Sequence, residues 1–184
     1  GTAGTNDSNW VRGDGTGMMY NAASRDHRWE IGGSEVMRID TYGHSTLPKQ
    51  PSFLAVRSGN QGGFESSGSY GASIIYNNEL VDINGDYNGG NGKFTAPVDG
   101  TYWFQAATYS SAQTMTQCWL ALNDARASQT DVVFAAATSF ACLTGFMTLD
   151  ANDTVGFHPY TSASNAVTIT ENANHTYFRG GLLY

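Results

Sequence analysis

Gly92-Lys-Phe-Thr-Ala-Pro-Val-Asp-Gly-Thr-Tyr-Trp-Phe104 spells two short strands with a corner between them. Phe94 leads into Pro97, which has no N–H to give to a sheet ladder, and Gly100 then supplies permissive backbone before Tyr102-Trp103-Phe104 opens the next strand. The chain is expected to turn here and change sheets. Alternation in the second strand puts Tyr102, Phe104 and Ala106 on one face and Trp103, Gln105 and Ala107 on the other. Neither face is cleanly polar, which predicts that both are covered.

The composition agrees with a turn-rich, all-β chain. Of 184 residues 22 are Gly and 14% are charged, and the one Ala-rich stretch, 125–141, is interrupted by Ser, Thr and Val that favour strand or loop over helix. The formal charge of −7, with nine scattered Lys and Arg, argues against a nucleic-acid partner. No apolar run reaches the roughly 18 residues of a membrane helix, so no membrane insertion is expected. The Gly-Thr-Ala-Gly start looks like a piece of something longer. Cys118 and Cys142 fall on different strands by local pattern.

Five stretches stand in a telling order: Ser52-Phe-Leu-Ala-Val56, the corner itself, Leu120-Ala-Leu-Asn-Asp124, Leu149-Asp-Ala-Asn-Asp-Thr-Val155 and Phe178-Arg-Gly-Gly-Leu-Leu-Tyr184. Together they resemble the C1q-like (C1q/TNF) domain, over about residues 48–184. The resemblance implies a ten-strand jelly-roll sandwich that assembles as a homotrimer. It also implies a structural core containing Phe94, Pro97, Gly100, Tyr102, Phe104, Phe178 and Gly180. Asn152 replaces a usual Gly, Arg179 a small residue and Gly181 an aromatic. The family reading puts the two cysteine strands in opposite sheets, leaving a disulfide and a pair of buried free thiols both open.

Residues 1–47 differ in character. Apolar residues from Trp10 to Ile39 are spaced between Gly-rich turns, so the segment reads as short strands and hairpins too thin to enclose a core alone. Gly33-Ser-Glu-Val-Met-Arg-Ile-Asp-Thr-Tyr-Gly43 resembles a segment common near the ends of bacteriophage tail fibres and tailspikes. Alternation places Glu35, Met37 and Ile39 on one face and Val36, Arg38 and Asp40 on the other. Residues 1–47 are thus expected to be a short trimeric β-structured fibre stalk, and 48–184 the head. Arg12-Gly13-Asp14 is taken as a turn, and Arg25-Asp-His-Arg28 as a solvated charged turn.

Eight main strands are expected in the head, at 51–57, 73–80, 93–97, 100–109, 115–123, 142–149, 154–159 and 176–184. If they alternate up and down, the connections 58–72, 97–100, 124–141 and 160–175 lie at the end far from the stalk, and 81–92, 110–114 and 150–153 at the near end. Exposed far loops are where a fibre tip meets its partner. The candidate receptor-binding residues there are Phe64, Tyr70, Arg126, Asp131, Tyr160, Glu171 and His175, since exposed aromatics beside neutral polar groups suit a sugar ring.

Asp82, Asn84 and Asp86 place oxygens at alternate positions, as the start of a calcium loop does, although no Glu stands at position 12 and an Asn-Gly turn explains the run more simply. No other cofactor is indicated. The four histidines are far apart, and no nucleophile elbow or paired-carboxylate pattern is present, so no enzyme activity is expected. These readings converge on the receptor-binding tip of a virion tail fibre: a homotrimer on an upstream fibre, attached to a host cell-surface glycan or protein. The rivals are a structural trimerisation cap without receptor binding and a secreted C1q/TNF-like ligand. That second group usually carries a collagen-like stalk or a membrane anchor, and residues 1–47 lack a Gly-x-y period.

Overall fold

The structure, a computed structural model, describes residues 10–13, 18–21, 26–64, 73–111, 115–127, 130–161, 167–171 and 174–184. The chain divides into two compact units, Gly1–Lys49 and Gln50–Tyr184.

In the first unit β1 (Trp10–Gly13) pairs with β2 (Met18–Asn21), and β3 (His27–Ile31), β4 (Ser34–Ile39) and β5 (Ser45–Thr46) form an antiparallel three-stranded sheet. Arg12 and Gly13 therefore belong to a strand, with Asp14 outside the described residues. Gly32 and Gly33, at φ +58° and +80°, close the β3–β4 hairpin, a backbone that β-carbons resist. A bulge shifts the register between Trp29–Met37 and Glu30–Glu35. This corrects the expected alternation. Glu35 does not share a face with Met37: its carboxylate takes two hydrogen bonds from Arg38, at 3.0 and 2.8 Å, and lies 3.8 Å from Arg28. Asp26 joins Arg28 and Arg38, so the expected charged turn gives way from His27 to a strand with an ion-pair network on one face, Arg25 lying outside the described residues.

The second unit contains β6 (Ser52–Val56), β7 (Gln61–Phe64), β8 (Asn78–Ile83), β9 (Tyr87–Asn88), β10 (Lys93–Thr95) and β11 (Gly100–Tyr109). There follow β12 (Met115–Leu122), β13 (Ala125–Arg126), β14 (Val132–Thr138), β15 (Phe140–Leu149), β16 (Thr154–Thr161), β17 (Val167–Ile169) and β18 (Tyr177–Leu182). One sheet runs β15-β11-β18-β6-β8; the other runs β13-β12-β16-β10-β9, with β14 also on β12. The chain does change sheets at the corner, β10 lying in the second and β11 in the first.

Between the sheets the inward positions carry aromatic rings. Phe94, Tyr102, Phe104, Phe157 and Phe178 are wholly buried, and Phe53 stacks on Tyr87 and Phe94 with ring centres 4.8 and 5.1 Å apart. Each such burial is worth about 1.5–3 kcal/mol, and each well-placed ring pair about 0.5–1.5 kcal/mol more. The buried phenols keep their hydrogen bonds: Tyr76 donates to the Ala107 carbonyl (3.1 Å) and Tyr87 to the Tyr76 carbonyl (3.0 Å). Pro97 is exposed, which corrects its place in the core. It shapes the corner through its backbone and contributes no packed surface.

Strand direction corrects the expected sorting of loops. Gly100 is paired with Leu149, and Ser52 with Gly181, so the corner at 97–100 lies at the end where β6 begins. Tyr109 pairs with Phe140 at the opposite end, and Ser111 donates to the Thr168 carbonyl there (2.8 Å), so Ser110–Ser111 begin a far connection. The short β9–β10 hairpin reverses the chain once more than a simple up-and-down count allows. β14 restores the count by running back along β12, so 124–141 climbs the flank of the sheet instead of capping its end.

Candidate binding surfaces

In β12 Cys118 and Leu120 join the core, which sends Gln117 and Trp119 to the opposite face; in β16 Val155 and Phe157 go inward and His158 and Tyr160 outward. Trp119 stands across from His158, and Gln117 across from Tyr160. Trp119 and His158 face away from the core, yet they are 0% and 4% exposed. Their cover comes from two sides. The Arg126 guanidinium lies 4.9 Å over the Trp119 ring, and the Ser73 hydroxyl shares a 2.8 Å hydrogen bond with His158 Nε2. Gly156 makes room for the second: a Cβ there would stand 2.4 Å from Ser73 Oγ.

Arg126 also donates to Gln117 Oε1 (2.8 Å) and pairs with Asp131. Three residues named from sequence, Arg126, Asp131 and Tyr160, thus lie along one flank of the second sheet, with Gln117, Trp119, His158 and Ser73 beside them. Arg126 and Asp131 are not on a far loop, and that placement is corrected. The outward phase of Trp119 was available in the alternation of Met115–Leu122, but nothing in sequence signalled that Ser73 would cover its neighbour.

Of the remaining candidates, Glu171, His175 and the backbone of Phe64 lie at the end of the sheets opposite the start of β6. Phe64 pairs through its backbone with Val167; its side chain and Tyr70 lie outside the described residues. The Glu171 N–H donates to Asn60 Oδ1 (2.8 Å), and the His175 ring meets Phe140 edge-on at 6.1 Å. Nearby, Arg57 donates to the carbonyls of Gly59, Asn60 and Ile75 at 2.6, 3.1 and 2.6 Å, and burial lowers its pKa while Glu171 opposes the shift.

Asp82 serves the turn that follows it, accepting the N–H groups of Asp86 (3.0 Å) and Tyr87 (3.3 Å) while Asn84 and Gly85 take positive φ. Burial raises the pKa of both Asp82 and Asp86 by disfavouring their charged forms. Among the described residues no three His, Cys, Asp or Glu side chains gather as metal ligands. Cys118 and Cys142 are free thiols, and burial pushes Cys118 up to about 12.

The outward face of the first sheet differs from the flank. By register it presents Cys142, Thr144, Phe146 and Thr148 of β15, Trp103, Gln105 and Ala107 of β11, Tyr177, Arg179 and Gly181 of β18, Leu54 of β6 and Val81 of β8. Phe146 is 66% exposed and Val81 44%. Arg179 alone among these is charged. Its Nε and Nη2 donate to Gln105 Oε1 at 2.8 and 2.5 Å, and its guanidinium lies 5.3 Å from the Tyr177 ring centre.

Two apposed antiparallel sheets, with an aromatic filling and a proline corner that switches the chain between them, define a jelly roll of the C1q/TNF kind. The sequence matches the C1q domain over residues 53–183, and the chain belongs to that family. Its fold is similar to the globular domain of zebrafish complement 1qA protein, with TM-score 0.50 and 20% identity over 73% of this chain and 98% of that one. It is also similar to murine APRIL, with TM-score 0.51 and 12% identity over 73% of this chain and 100% of that one. No curated protein matches the sequence.

Proposed function

We propose that this chain is the trimeric, non-enzymatic receptor-binding tip of a fibre of the bacteriophage tail-fibre kind, displayed on the outside of the virion. The observation that carries the reading is the outward face of the first sheet, where Trp103, Phe146, Leu54 and Val81 stand on a surface with one charge. A second, unlike apolar surface runs along β14, with Val133 67% exposed and Ala135, Ala136 and Ala137 also exposed. Unlike surfaces that cover each other join head to tail, and such contacts close into a ring when the rotation permits. The family resemblance supplies the number three.

The first unit supports the same assembly. Its three-stranded sheet carries ions on one face, and Trp29 (46% exposed) and Met37 oppose each other on a face it cannot cover itself. Three copies supply that cover and make the unit a stalk. Host contact falls to Arg126, Asp131 and Tyr160 on the flank and to Phe64, Tyr70, Glu171 and His175, the partner being a cell-surface glycan or protein. Weak sites repeated on a rigid trimer add through avidity.

Light scattering, followed by binding to bacterial cells and a glycan array, tests this. The expected result is a trimer that binds bacterial surfaces and loses binding in Arg126→Ala/Tyr160→Ala and His175→Ala variants that stay trimeric. A compact lone chain overturns the assembly. A trimer that binds no bacterial surface favours the structural cap, and binding confined to animal-cell receptors favours the secreted ligand.

A further inference from the structure

We propose that Arg179 is an oxyanion site sealed between neighbouring copies of the chain, taking inorganic phosphate or sulfate from solution. The proposal rests on the head-to-tail trimer above. β18 is the middle strand of the first sheet, and Arg179 projects from its outward face. The described residues that hold the guanidinium are neutral. Gln105 Oε1 takes its Nε and one Nη2 hydrogen, and Tyr177 lies under its plane. Nη1 and the second Nη2 hydrogen are left as a fork pointing away from Gln105, the arrangement that receives two oxygens of one anion.

Among the described residues no acid on the chain's own face fills that fork. The outward positions of β6, β8, β11, β15 and β18 carry no Asp or Glu beside it. The surface proposed to cover it, β14 from Val132 to Thr138, carries no charged residue at all. A guanidinium covered in this way keeps its charge and loses its water, and leaving it uncompensated is costly. A small oxyanion supplies the missing charge without any change in sequence.

The test follows thermal unfolding of the full chain in phosphate, sulfate and chloride at constant ionic strength, after light scattering has established the trimer. The midpoint of the wild type is expected to rise by a few degrees with phosphate and sulfate and to stay flat with chloride. In Arg179→Met and Arg179→Gln the rise is expected to vanish while the trimer persists. Calorimetric titration of the wild type with inorganic phosphate, independent of any variant, should show saturable binding of no more than one anion per chain. A trimer with a flat phosphate response and no heat of binding overturns the anion site alone. A lone chain in light scattering overturns the trimer and this site with it.

Discussion

Gly180 lies against the ring of Phe104 so closely that a Cβ on it would stand 2.5 Å from Phe104 Cδ1 and 2.6 Å from the Trp103 carbonyl oxygen. The two residues are direct partners across β11 and β18. Gly180→Ala must therefore push a buried ring or a central strand aside, at about 1–3 kcal/mol. Urea unfolding that leaves the midpoint of this variant unchanged would show that the contact is slack.

Phe104 itself is wholly buried among Phe53, Phe94, Tyr102 and Phe178. Phe104→Ala is expected to cost about 3–5 kcal/mol, because the surrounding rings close only part of the void. The same denaturation measurement reads it, and a loss below about 1 kcal/mol would mean the core collapses to fill the space.

Gly92 opens the corner stretch at φ +76°, and a Cβ there would stand 2.3 Å from the Ile74 carbonyl oxygen. Gly92→Ala combines a disfavoured backbone with a clash against main chain, so it should destabilise more than Gly180→Ala, whose φ carries no such penalty. A reversed order of the two melting midpoints would contradict this.

The acid response has two opposite parts. Burial, the largest cause at both Asp82 and Asp86, raises their folded pKa above the ordinary 3.8, so the folded state holds protons that the unfolded state releases, and stability from these groups grows as pH falls through the raised values toward 3.8. Asp40 behaves in the contrary sense. The His44 backbone hydrogen bond, foremost, lowers its pKa, so its contribution is present above 3.8 and is lost as pH falls through the lowered value. Asp86→Asn should gain stability relative to wild type at pH 7 and lose that advantage near pH 4. An equal gap at both pH values in urea titrations would rule out burial of the charge as the cause.

Arg126 covers Trp119 and neutralises Asp131, whose side chain is 19% exposed. Arg126→Ala uncovers the indole and leaves the carboxylate without its partner, a loss of about 1–2 kcal/mol. Tryptophan fluorescence should move to longer wavelength in the folded variant; an unshifted spectrum would mean that other side chains shield the ring.

The fold was legible where physics leaves sequence little choice. The period-two placement of Tyr102, Phe104 and Phe178, and the prolyl break after Thr95, could be read directly, because one face of each strand had to be apolar and Pro97 had to end pairing. The loop ends were not legible, because Tyr87–Asn88 is only two residues long and gives no alternation to detect, yet it reverses the chain. In the same way the bulge beside Val36 moved Glu35 across its sheet, and a bulge leaves no mark in a simple alternating count. The flank cluster was half legible. Arg126 and Tyr160 could be named as exposed polar and aromatic residues, but their common neighbour Gln117 became visible only once β12 and β16 were in register.

Arg57, tied to the carbonyls of Gly59, Asn60 and Ile75, works with Gln61, which accepts the Ile75 N–H at 2.8 Å and donates to the Ser73 carbonyl at 3.4 Å. Two side chains thus clamp the outgoing and returning strands of one excursion before the chain passes Phe64 and after it comes back at Ser73. Loss of either side chain would therefore release two arms of backbone at once, the one leaving β6 and the one entering β8.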